Sequence, residues 1–195
     1  MQWISNFGDL KSMKPTSITI PTSILKRFDD NTPPQLFGVG NAALIETPLL
    51  GLIASRECPG HVMIETLDRI PEWIKARKTV VSGFHSPLEQ QVLHSLLRRK
   101  ACVIQVLARG FRDYRPLEHE LEPLTEGRML IVTACSATVA RVTRAAALER
   151  NRLVLALTDE HCVPYLSPNS PLQTMMSSVS PEKSSMRYIA GKDEA

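Results

Sequence analysis

The stretch from Thr79 to Gly110 constrains the fold of this chain more than any other. It reads as a strand (Thr79–Ser82), a glycine turn at Gly83, a helix from Pro87 to Arg99, a second strand from Cys102 to Leu107, and another glycine at Gly110. Three residues mark the helix start: Ser86 as N-cap, Pro87 at the first helical position, and Glu89 three residues after the cap, which completes a capping box. Leu88, Val92, Leu93, Leu96 and Leu97 form one apolar stripe, and Arg98, Arg99 and Lys100 gather at the negative end of the helix dipole. Two apolar strands joined by one amphipathic helix make a βαβ crossover, hence a parallel sheet covered by helices. Such sheets bind ligands beyond the carboxyl ends of their strands.

Leu49–Ala54, Met129–Thr133 and Leu153–Leu157 read as further core strands. After Pro59-Gly60, a helical pattern places Met63, Leu67, Ile70 and Ile74 on one face, and Pro71 predicts a kink or a split into two short helices. A helix is expected from Thr138 to Arg150, with Val139, Val142, Ala146 and Leu148 inward and Asn151 at its stop. Phe111 to Gly127 reads as a long connection with one helical turn, and Ser17–Ile20 as a short strand. The fold class expected is α/β: a Rossmann-like, doubly wound, mainly parallel sheet with helices on both faces. The organisation expected is an N-terminal extension and linker over 1–35, a Rossmann domain over 36–166, and a flexible tail over 167–195, rich in Ser and Pro with no regular period.

A net charge of +3 permits contact with phosphates without demanding nucleic acid. No apolar run reaches the roughly 20 residues that cross a bilayer, and no cationic-then-apolar leader opens the chain, so a cytoplasmic location without membrane attachment is expected. Cys58, Cys102, Cys135 and Cys162 lack paired spacing, which favours reduced, mostly buried thiols over zinc or disulfides. No metal, cofactor or catalytic residue is implied.

The order of these segments resembles the Smf/DprA family of DNA-processing proteins, in the wider Rossmann-like group that includes the LOG phosphoribohydrolases. Pro33-Pro34-Gln35-Leu36-Phe37-Gly38-Val39-Gly40-Asn41 is similar to that family's opening segment, and Leu52-Ile53-Ala54-Ser55-Arg56 to its first core strand, which ends Gly-Thr/Ser-Arg. Val80-Val81-Ser82-Gly83 stands where the family has Val-Val-Ser-Gly, and Val103 to Gly110 where it has a strand ending Gly-Cys-Gly. Ala147-Leu148-Glu149-Arg150-Asn151-Arg152 resembles its last helix running into the final strand. The family's Ala-Arg-Gly-Ile-Asp loop is here His85-Ser86-Pro87-Leu88-Glu89, without the arginine and second glycine. Its basic segment is replaced by Leu117–Gly127, where Glu118, Glu120, Glu122 and Glu126 are expected to repel a phosphate backbone. The Pro-Gly-Gly-x-Gly-Thr loop of the LOG enzymes is replaced by Thr133-Ala134-Cys135-Ser136-Ala137-Thr138.

The candidate ligand- or phosphate-binding residues lie at strand ends: Ser55, Arg56, Ser82, Gly83, His85, Ser86, Arg109, Gly110, Ser136 and Thr138, with Asp159 after the last strand. Hydroxyl residues at helix starts leave backbone amides for an anion, and a guanidinium such as Arg56 grips phosphate bidentately. The competing readings are a sheet-edge salt bridge for Arg56, a cap for Ser86 and a solvated loop for His85. Arg141 and Arg144 are expected on the outer face of the last helix, and Phe84, Phe111 and Tyr114 are the aromatics near strand ends.

Three functions follow as expectations. The resemblance implies a DprA-like protein that binds single-stranded DNA or a nucleotide at the strand-end cleft without turnover. A LOG-like nucleotide N-glycosidase needs a carboxylate at the ribosyl centre, which Glu89 or Asp159 would have to supply. A scaffold would keep the fold and bind only a protein, such as a recombinase; a homodimer is compatible with each.

Overall fold

The structure, a computed structural model, describes residues 14–28, 33–112 and 114–177, and the backbone of 185–188. In chain order it runs β1 (Thr16–Ile18), α1 (Thr22–Leu25), β2 (Leu36–Gly40), a 3-10 turn (Ala42–Glu46) and β3 (Leu49–Leu52). Then come α2 (Gly60–Asp68), α3 (Ile70–Lys75), β4 (Thr79–Ser82), α4 (Pro87–Arg98) and β5 (Val103–Val106). The chain continues through α5 (Glu118–Thr125), β6 (Met129–Thr133), α6 (Arg144–Leu157), β7 (Glu160–Val163), α7 (Pro171–Ser177) and β8 (Ser185–Tyr188). The strands form one sheet in the order β1-β2-β6-β5-β4-β3-β7-β8. From β6 to β8 every pair is parallel, whereas β2 lies antiparallel to both β6 and β1. This is the Rossmann-like α/β sheet expected, with an antiparallel edge added.

Residues alternate between the two faces. Leu50, Leu52, Val80, Val103, Met129 and Ile131 meet Ile70, Trp73, Leu88, Val92 and Leu96 on one side. Leu49, Val81, Ile104, Leu130 and Val132 meet Leu153, Val154 and Leu157 of α6 on the other. Both faces are covered, so β3, β4 and β6 are buried along their whole length. Pro71 splits the helical pattern into α2 and α3, taking an early helical position in the second.

Three expectations are corrected. Leu153–Leu157 is not a strand but the buried end of α6, and the strand beside β3 is Glu160–Val163. A five-residue apolar run carries no period that separates strand from buried helix. Asn151 consequently lies buried inside α6 rather than at its stop, the helix begins at Arg144 rather than Thr138, and Val142 is exposed. The connection after Phe111 holds a two-turn helix, α5. The segment after Ser167, read as lacking regular structure, contains α7, which buries Met175 and Met176, and β8, which extends the sheet from β7. The expected N-terminal extension and linker over 1–35 lies partly outside the described residues, and its described part holds β1 and α1.

Candidate functional site

Parallel pairing sends the ends of β3, β4, β5 and β6 to one edge, and the strand order sets the loops that follow them side by side. Ser55 and Arg56 follow β3; Gly83, His85 and Ser86 follow β4; Arg109 and Gly110 follow β5; Ser136 and Thr138 follow β6. The order of winding reverses at β3: the chain steps from β3 through β4 and β5 to β6, then places β7 on the other side of β3. A groove of about 470 Å³ opens at this switch point, lined by Arg56, Glu57, Cys58, Pro59, Met63, Pro87 and Tyr165. Crevices form at such points because neighbouring loops diverge to opposite faces.

Most of the hydroxyls expected at this edge are consumed by the fold. Ser55 Oγ is buried and accepts from Ser167 N at 2.8 Å. Ser82 Oγ accepts from Phe84 N at 3.1 Å, and Ser86 Oγ from Glu89 N at 3.3 Å. Ser136 and Thr138 hydrogen-bond each other at 3.0 Å and lie in the loop before α6, not at its start. Thr143, not Thr138, caps that helix. Gly110 is tight for a packing reason: a Cβ there would overlap the Ser136 carbonyl and Ala137, and its amide donates to Val139 O at 2.8 Å.

The β4 turn is organised by Glu89, which is 3% exposed. Its Oε1 accepts from Ala54 N at 2.9 Å, and its Oε2 accepts from His85 N at 2.8 Å and Ser86 N at 3.0 Å. The capping box is therefore as expected, with the β3 end tied in as well. The amides of His85 and Ser86, which lead into α4, already hold a carboxylate. The left-handed residue of the turn is Phe84 (φ 47), not Gly83, and Phe84 is buried. An aromatic residue held at positive φ is strained, which is common beside functional sites.

What remains at the edge is mainly cationic, with the exposed Glu57 beside Arg56 in the groove. Arg56 is exposed, with Nη2 3.5 Å from His85 Nε2. Arg109 stacks over the Tyr114 ring at 5.9 Å. Tyr114 donates to Glu120 at 2.5 Å, and burial with that bond raises its pKa far above the usual phenol range. Arg56, Arg109, Arg112, Arg141 and Arg144 have no carboxylate partner among the described residues. Arg141 lies in the loop preceding α6, and only Arg144 is on the helix.

Two acidic features fall elsewhere. Asp159 precedes β7, so it sits at the opposite, amino edge, paired with Arg27. The glutamates of α5 divide: Glu120 is buried and caps its own helix, while Glu122 and Glu126 pair with Lys100 and Arg128 at the amino edge. Glu122 and Glu126 are thereby held at the amino edge, whereas Glu118 is exposed at the start of α5, the end nearer the loop after β5.

Sequence reasoning missed Arg150 and Tyr165. Arg150 reaches from α6 to lie against Gly83, where a Cβ would overlap its guanidinium. Gly83 was the available signal, since its φ is not positive and its lack of a side chain serves close approach.

A doubly wound sheet with a groove at its switch point and a cationic carboxyl edge defines a Rossmann-like α/β protein whose candidate site lies at the strand ends. The chain belongs to the family described as DNA recombination-mediator protein A, whose family model matches residues 15–170. Among solved structures it is similar to DNA processing protein A from Helicobacter pylori, described for its unique single-stranded DNA binding mode. That match has a TM-score of 0.74 and 18% identity, over 94% of this chain and 84% of the other. It is also similar to DNA processing protein A from Streptococcus pneumoniae, with a TM-score of 0.72 and 16% identity, over 96% of this chain and 66% of the other. No curated protein matches the sequence.

Proposed function

We propose that the carboxyl edge of the sheet binds single-stranded DNA through its phosphates, without turnover. One observation carries this reading: the arginines of that edge have no carboxylate partners among the described residues, and one of them, Arg56, lines the switch-point groove. Unpaired guanidiniums beside a concave surface focus a positive potential on it, and their forked donors match phosphate geometry. Tyr165 and Met63 in the groove offer apolar surface to a base. Family membership and the single-stranded DNA described for the Helicobacter pylori relative support the same ligand. A glycosidase reading gains nothing here, because Glu89 spends both oxygens on backbone amides and Asp159 lies at the other edge.

The test is an anisotropy titration with labelled oligo-thymidylate and a matched duplex across a salt series. The single strand is expected to bind better than the duplex, with a shallow dependence of log Kd on log salt because few cations take part. Absence of single-strand binding at low salt overturns the reading.

A further inference from the structure

We propose, resting on the carboxyl edge being a phosphate-binding face, that Arg150 is a second anion-binding residue of that face, its guanidinium holding a phosphate oxygen above the Gly83 turn. The guanidinium lies flat on Gly83, so close that a Cβ would overlap its Cζ, Nε and Nη1 atoms. Its Nε and Nη2 donate to Asn151 Oδ1 at 3.1 and 2.8 Å, and Asn151 is itself buried. That grip fixes one side of the fork. Nη1 has no acceptor among the described residues.

Glu89 is the carboxylate whose charge reaches Arg150, but it does not form an ion pair with it. Both Glu89 oxygens are committed to the amides of Ala54, His85 and Ser86. Arg150 is thus a half-buried cation served by one side-chain amide, and burial pushes its pKa below the usual guanidinium range. Holding such a group without an anionic partner is costly. An anion resting on Nη1 repays that cost, while the amides of Phe84, His85 and Ser86 are already taken. Arg56 meets the same turn from the β3 side through His85. The two guanidiniums therefore approach Gly83–His85 from different elements, and Arg150 supplies from α6 a cation that the loop itself lacks.

The probes are inorganic pyrophosphate, read by thermal shift, and labelled oligo-thymidylate, read by anisotropy, each with the full chain, Arg150→Gln, Arg150→Lys, Gly83→Ala and Arg56→Ala. Arg150→Gln is expected to abolish most of the pyrophosphate shift and to weaken the oligonucleotide by about tenfold or more, the scale of one charged hydrogen bond. Arg150→Lys should recover part of the loss, since charge remains but the fork is gone. Gly83→Ala, which displaces the guanidinium with its charge intact, should reproduce the defect even where Arg150→Gln folds poorly. Equal responses of the full chain, Arg150→Gln and Gly83→Ala to both probes overturn the assignment, and if Arg56→Ala is impaired in that case, the phosphate-binding reading of the edge survives alone. An Arg150-dependent pyrophosphate shift without oligonucleotide binding upholds the anion site and sinks the DNA reading instead.

Discussion

The two ends of the sheet carry similar cations and treat them differently. At the amino end Lys78 is tied to Glu160, Lys100 lies 3.3 Å from Glu126 and 3.8 Å from Glu122, and Arg128 lies 2.5 Å from Glu126. At the carboxyl end Arg56, Arg109, Arg141 and Arg144 have no carboxylate partner among the described residues, and the buried Glu89 is committed to backbone amides. A net charge of +3 gives no hint of this. The amino edge also holds exposed cations without an ion pair among the described residues, Arg77, Arg98 and Arg99, so what distinguishes the carboxyl edge is that its arginines flank the strand-end loops rather than that it alone is positive.

The sharpest way to break this comparison is to exchange the roles of the two kinds of carboxylate. Glu89→Ala leaves the amides of Ala54, His85 and Ser86 without acceptors in a buried turn. A loss of about 3 kcal/mol or more is expected, since each stranded buried donor costs roughly 1–3 kcal/mol. Glu126→Ala removes an exposed pair with Lys100 and a half-buried one with Arg128, whose side chain is 13% exposed, and should cost less than Glu89→Ala. Denaturant melts of both variants decide the matter; similar losses would mean that the carboxyl-end carboxylate has no special structural role.

Binding should divide the cations in the opposite sense. Arg56→Ala is expected to weaken oligo-thymidylate by about 1.5–3 kcal/mol, the value of a charged hydrogen bond, while its exposed side chain makes the melt insensitive. Lys100→Ala, at the amino end, should bind like the parent chain. Equal effects of the two substitutions in anisotropy titrations would show that affinity follows net charge alone and that the edges are equivalent.

How much of this was legible in the sequence depends on whether the signal was local. The capping box Ser86–Glu89, the Pro71 break and the strands at Thr79–Ser82 and Met129–Thr133 rest on neighbouring residues and match the structure. Leu153–Leu157 failed because tertiary packing, not local pattern, decides whether a short apolar run is strand or buried helix. At the site, Arg56 and the glycines could be placed from strand ends. The Arg150–Gly83 contact could not, because it joins residues far apart in sequence through a helix whose boundaries were misread. The division of the glutamates was hidden for the same reason: only the crossover of α5 carries Glu122 and Glu126 to the amino edge.

The smallest effect expected concerns acid, and it sharpens the comparison by giving the packed side of the sheet its own signature. His161 on β7 is 2% exposed, its Nε2 lies 3.1 Å from Leu155 O, and its Nδ1 has no partner among the described residues. Burial is the main force lowering its pKa from the ordinary 6.5; the Leu155 hydrogen bond opposes it, and nearby Arg27 and Asp159 pull in opposite directions. A depressed histidine stays neutral in the folded chain while the unfolded chain takes up a proton. Its contribution is therefore fully present above about pH 6.5 and is lost progressively as pH falls from there towards the folded-state pKa. Thermal melts between neutral and mildly acidic pH should show a modest fall in Tm, which His161→Gln, keeping a donor for Leu155 O without a titrating ring, should flatten. An identical slope in the His161→Gln variant would assign the acid sensitivity to other groups, and the exposed ion pairs of the amino edge would be the next to remove.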